Sequence, residues 1–113
     1  MQVQKVDNVV VLTPTEKDLE GQKYACGIVE SLVKLDGESR IIVDLKLIEN
    51  IYSMQIGTLV TMHVLCYENV AFMKLANASD KVKNLLRMVG LEAMMEIHHG
   101  VDVALQSFGK DKK

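Results

Sequence analysis

The chain has 113 residues, 49% of them apolar and 25% charged, which is the balance of one globular domain and leaves no room for two independent cores. Thirteen Lys and Arg against fifteen Asp and Glu give a net charge of −2, so no overall field draws the chain to nucleic acid or to an anionic membrane. Two cysteines, Cys26 and Cys66, exclude a disulfide scaffold and a four-cysteine zinc site, and the first residues carry no apolar signal region, so a reduced cytoplasm is expected.

Residues 2–6 read as a short strand and Asp7-Asn8 as a turn. Val9-Val10-Val11-Leu12 is a β-branched run of the kind buried on both faces of a sheet, and the single proline, Pro14, ends it. Residues 13–21 are expected to form a polar connection. A helix is predicted over residues 20–35, with Tyr24, Ile28 and Leu32 inward beside Ala25 and Val29, and Asp36-Gly37 stops it. Residues 40–45 make the next buried strand, residues 46–52 a loop, residues 53–67 a helix and residues 70–76 another strand. Ser79 suits an N-cap, Val82, Leu85, Leu86 and Val89 repeat at helical spacing, and Gly90 stands where a C′ glycine belongs. Residues 94–98 read as a last strand. Val101, Leu105 and Phe108 mark a final small helix, and residues 109–113 a charged, frayed tail after a domain of residues 1–108. Strands alternating with helices predict an α/β fold. Its sheet is mixed and mostly parallel, of about five strands, with four helices packed mainly on one face and an antiparallel pair at the N-terminal edge.

Chemistry is sparse. Glycine-rich phosphate loops and a nucleophile elbow are both missing. His98 and His99, with Asp102 nearby, sit side by side on a strand and so point to opposite faces, which makes them poor joint ligands; no metal and no cofactor is expected. His63 reads as a hydrogen-bonded histidine at the core edge, and the two cysteines as buried, inert thiols.

The informative stretch is residues 50–67, eighteen residues without Asp, Glu, Lys or Arg. Asn50, Ser53, Gln55, Thr58, Thr61 and His63 make it too polar to span a membrane. At 100° per residue, Ile56, Leu59, Val60, His63, Val64 and Tyr67 fall on one face, expected to be core. Met54, Thr58, Thr61, Met62 and Leu65 fall on the other. A solvated face would be charged, so this second face is expected to bind a partner protein, with deeper burial inside the domain as the alternative. Ser53 reads as the N-cap, and a phosphate there would be held by free backbone N–H groups while adding charge beside an apolar contact face.

Ile41-Ile42-Val43-Asp44-Leu45, a loop, then Tyr52-Ser53-Met54-Gln55-Ile56-Gly57 entering a helix resembles the STAS domain, named for sulfate transporters and anti-sigma factor antagonists. The family has Asp-Ser-Ser-Gly-Leu-Gly at that helix start. Residues 70–76 match its fourth strand, and residues 82–91, Val-Lys-Asn-Leu-Leu-Arg-Met-Val-Gly-Leu, its following helix, so the likeness spans roughly residues 1–108. The resemblance implies a non-enzymatic signalling module that binds an anti-sigma factor serine kinase and is switched by phosphorylation of Ser53. Asp44, Asn50 and Tyr52 then form the loop near the switch. Here Tyr52 stands in place of the family's acid, Met54 of its second serine and Gln55 of its glycine, which puts a side chain where the kinase approaches. Three other readings follow: a phosphorylation-independent STAS scaffold or transporter-associated subunit, self-association as a homodimer, and, from another class, a small enzyme or ligand-binding protein using the strand-end loops near Asp44 and Asn50.

Overall fold

In the computed structural model, which describes residues 1–110, the β-branched runs form one five-stranded sheet. Its strands are β1 (Gln2–Val6), β2 (Val9–Thr13), β3 (Arg40–Asp44), β4 (Phe72–Ala76) and β5 (Ile97–His98), and they lie side by side in chain order. β1 returns antiparallel into β2 through Asp7 and Asn8, whose φ angles of 51° and 65° make the two-residue turn that matches strand twist. The other neighbours are parallel.

The helices are α1 (Glu16–Glu20), α2 (Gln22–Glu30), α3 (Ser53–Glu68), α4 (Asp80–Met88) and α5 (Val101–Lys110). Right-handed crossovers that always step the same way across a sheet fall on one face. Accordingly α1 to α4 cover one side, where Leu12, Ile41, Val43 and Leu75 meet Leu19, Val29, Leu59, Met62, Val82 and Leu86. The other side is left to α5, over a smaller cluster of Val9, Val11, Ile42, Ala76, Ala104 and Phe108. Lys74, almost fully buried in β4, pins α5: its Nζ donates to Ser107 Oγ at 2.7 Å and lies 4.2 Å from the Phe108 ring centre. This is the expected sheet, with one helix more than expected.

That extra helix is α1, inside the supposed polar connection. Thr15 caps it, accepting from Asp18 N–H at 3.1 Å, while Asp18 accepts from Thr15 N–H at 2.9 Å. α2 therefore starts later than predicted, at Gln22, and continues as a wide helical turn over Ser31–Leu35. Its inward residues are Ala25 and Val29, followed by Val33 in that wide turn, whereas Tyr24 is half exposed and its hydroxyl accepts from the Met1 amino group. Ser79 caps α4, accepting from Val82 N–H, and Gly90 takes φ 80° beyond its end, both as the spacing implied. The last strand keeps only Ile97 and His98, because a short turn at Leu91–Ala93 takes up the chain before it. α5 takes in Gly109 and Lys110 from the expected tail; residues 111–113 lie outside the described residues.

Candidate functional site

Helix α3, uncharged until Glu68 at its end, begins at the carboxyl end of the parallel strands, on a loop fastened at several points. Asp44, ending β3, is buried; its Oδ1 accepts Lys46 N–H at 3.1 Å and Asn77 Nδ2 at 3.0 Å, tying this loop to the one after β4. Glu16 of α1 reaches across, and its carboxylate accepts the N–H groups of Asn50 and Glu49 at 3.1 and 2.8 Å. Those two bonds, helped by Lys81, hold the Glu16 carboxyl below the ordinary carboxylate range. Lys81 of α4 in turn donates to Asn50 Oδ1.

Gln55 does the most here. It is buried, its Oε1 accepts Tyr52 N–H at 2.8 Å, and its Nε2 donates to the Glu16 carbonyl at 2.9 Å. One turn on, the Thr58 hydroxyl donates to the Leu19 carbonyl at 2.7 Å. The first two turns of α3 are thus bolted to α1 by polar side chains. Gln55 consequently does not stand in a partner's path, contrary to the expectation drawn from the lost glycine; it turns inward and rigidifies the helix start.

Ser53 is not the N-cap. Tyr52 holds that position, with extended backbone at φ −122° and ψ 171°, and Ser53 is the first helical residue, exposed. The first bond of the helix runs from Ile56 N–H to the Tyr52 carbonyl at 2.9 Å, so the N–H groups of Ser53, Met54 and Gln55 have no carbonyl one turn back. No acidic residue lies in that first turn. Exposed Tyr52 and Met54 flank the serine, and with Glu20 and Gln55 they line a depression of about 210 Å³.

The two faces of α3 are divided differently from the sequence expectation: Leu59 is core and Ile56 and Val60 pack against it as expected, but others change sides. Thr58 and Met62, expected at a partner surface, are wholly buried, along with Leu59 and Cys66. Val64 and Tyr67, expected in the core, are 40% and 76% exposed. Of the other expected contact residues, Met54 is 64% exposed. Leu65 is half-buried against the core, and Thr61 packs on α2, accepting from Gln22 Nε2 at 3.1 Å. A helix that is apolar all round has a period but no sign, and polar bonds to α1 decided its rotation. The outer stripe therefore runs through exposed Met54, Val64 and Tyr67, with half-buried Gly57 and Val60 between them, and it carries no charge until Glu68 at the helix end. Glu16, Gln55 and Lys81 were missed as clamps. The one signal for them was the Thr15-x-x-Asp18 pattern, which starts α1 and puts Glu16 in its first turn.

The remaining candidates stay apart. His63 Nδ1 is buried without a hydrogen-bond partner among the described residues, where a bonded histidine was expected. Burial pushes the Cys66 thiol up to about 12, and burial followed by Glu30 raises that of Cys26, as inert thiols require. His98 Nε2 meets Glu96 Oε1 at 2.7 Å, and among the described residues no group of three His, Cys, Asp or Glu could hold a metal ion. No helix is long and apolar enough to cross a membrane.

No family model matches the chain, and no curated protein matches it. Solved structures do. A protein from the stressosome, a signal integration and transduction hub, is 18% identical with a TM-score of 0.81, over 99% of each chain. A protein from Thermotoga maritima assigned as an anti-sigma factor antagonist is 19% identical with a TM-score of 0.72, over 94% of this chain and 92% of that one. The Bacillus cell fate determinant SpoIIAA, in its phosphorylated form, is 13% identical with a TM-score of 0.68, over 95% and 97%. At such identities the likeness is one of fold, and it agrees with the strand order, the crossovers on one face and the lone C-terminal helix: this chain has the STAS fold.

Proposed function

We propose that the protein is a non-enzymatic interaction module whose docking surface is the start and outer stripe of α3, that its partner is a kinase-type anti-sigma factor, and that phosphorylation of Ser53 releases that partner. The observation that carries the reading is an exposed serine at the first position of a rigidly held helix, flanked by exposed Tyr52 and Met54 and followed by a stripe uncharged until Glu68. Three structures of the same fold come from an anti-sigma factor antagonist, a stressosome and a phosphorylated cell fate determinant, which lends the proposal its choice of partner.

The physics of the switch is local. The kinase would join the γ-phosphorus of ATP to Ser53 Oγ as the bond to the β-phosphate oxygen breaks; the hydroxyl proton goes to the kinase's base and ADP leaves. A phosphate there adds about −1.5 to −2 charges. Within the protein that charge is welcome, since the free N–H groups and the dipole of α3 favour it. Against a partner it must be desolvated beside Tyr52 and Met54, which is costly without a matched cation. The fold is unharmed and the interface is lost. Gly57 adds to the surface: a Cβ built there meets nothing within 4 Å, leaving a dent in the stripe where a partner's backbone fits.

The test is calorimetric titration of wild type, Ser53→Asp and Ser53→Ala with the kinase-type anti-sigma factor of the same genome, plus intact mass after incubation with that kinase and ATP. Wild type and Ser53→Ala should bind alike, Ser53→Asp at least roughly tenfold more weakly, which is about 1.4 kcal/mol, and one phosphoryl group should appear on Ser53. If Asp and Ala bind equally and no phosphate appears, the switch fails and a constitutive scaffold replaces it.

A further inference from the structure

The other face of the sheet carries a polar hollow, away from the outer stripe of α3. α5 begins at Val101, and beyond its first turn the carboxyl ends of the strands are open on that side. Register explains what gathers there. Gln2 lies opposite Thr13, Leu12 pairs with Val43 so that Thr13 comes beside Asp44, and Asp44 pairs with Ala76. Alternation along the strands puts Thr13 on the side of Val11, and Asp44 on the side of Ile42. The chain thus collects Gln2, Gln4, Thr13, Asp44, Lys46 and Asn77 around a cavity of about 310 Å³, floored by valines. These residues are scattered in sequence, so no convergent cluster is visible before folding.

Two of the groups are buried with bonding capacity to spare. Thr13 is 6% exposed, and its hydroxyl has no hydrogen-bond partner among the described residues. Asp44 is 4% exposed; its Oδ1 is occupied, but Oδ2 has only the Lys46 ammonium, 3.9 Å away. Each of the two keeps an oxygen that the hollow reaches, where a ligand filling it can take the place of water. We propose that this hollow binds a small, neutral, hydroxyl-rich solute of monosaccharide or polyol type.

Size and charge select that class. The volume sits at the low end of ligand pockets, roughly 300–1,000 Å³, too small for a nucleotide. Asp44 and Lys46 together are net neutral, so the hollow has no excess charge to draw in either a phosphate or an amine. Hydroxyl groups can donate to Asp44 Oδ2 and bond Thr13, Gln2 and Gln4 in either sense, while the C–H face of a ring or chain rests on Val6, Val11 and Val101.

The test is titration of the ¹⁵N–¹H spectrum of the full chain with glucose, myo-inositol and glycerol, with ethanolamine and inorganic phosphate as opposing arms, on wild type, Thr13→Val and Ser53→Asp. A neutral probe should saturate shifts at Thr13, Asp44, Lys46 and Asn77. Thr13→Val, isosteric and spectroscopically folded, should weaken it by about tenfold or more, and Ser53→Asp should leave it unchanged, which separates this site from the partner surface. Saturation by ethanolamine or phosphate alone, equal binding by Thr13→Val, or no saturable neutral probe would overturn the assignment.

Discussion

On its inner side α3 presents Gln55, Thr58, Leu59, Met62 and Cys66; on its outer side it presents Met54, Gly57, Val60, Val64 and Tyr67. Two polar residues, Gln55 and Thr58, thus lie inside among apolar ones, while large apolar side chains lie outside where an ordinary surface helix carries charge. The inner pair is affordable because each group is bonded: Gln55 to Tyr52 N–H and the Glu16 carbonyl, Thr58 to the Leu19 carbonyl. No such local reason keeps charge off the outer stripe, and an uncharged exposed stripe is the mark of a surface that another protein covers. The inner side is explained by this chain alone; the outer side is the surface proposed for a partner.

Substitutions that treat the two sides alike should therefore separate them. Met62→Glu places a charge in the core without a partner and should destabilise by about 3–5 kcal/mol, enough to unfold a small domain; a denaturant midpoint close to that of wild type would mean that the helix is rotated from this orientation. Thr58→Val keeps the shape but strands the Leu19 carbonyl, and a loss of about 1–3 kcal/mol is expected by the same measurement. Gly57→Ala should instead stabilise by about 0.5–1 kcal/mol, since its Cβ enters open space, while weakening partner binding. The smallest effect concerns the clamp. The Glu16 carboxyl is lowered from 4.5 in the folded state, so its contribution is complete above that pH and is lost as pH falls through the lower folded value. Amide shifts of Glu49 and Asn50 should follow that loss, with a midpoint below 4.5; a midpoint at or above it would remove Glu16 from the loop.

What was legible in the sequence was local. The β-branched runs, the Asp7-Asn8 turn, the Ser79 cap and Gly90 each fix a backbone conformation by their own chemistry, and strands alternating with helices then dictate crossovers on one face. α1 was hidden because its five residues carry one buried side chain, Leu19, too few for a period. The rotation of α3 was hidden for the opposite reason, an excess of apolar residues on every side, with the deciding bonds made to a segment more than thirty residues away. Ser53 was singled out by its place at the start of the charge-free stretch and by the resemblance to the STAS domain, yet it sits at the first helical position rather than the cap, with Gln55 taking the Tyr52 N–H.

The central claim is that the outer stripe of α3 belongs to a partner, and Val64→Glu tests it most directly. Val64 is 40% exposed, so the variant should unfold within about 0.5 kcal/mol of wild type. Its affinity for the kinase-type anti-sigma factor, measured by calorimetry on the same preparation, should fall by tenfold or more, about 1.4 kcal/mol or above. A folded Val64→Glu variant that binds as tightly as wild type would contradict the account.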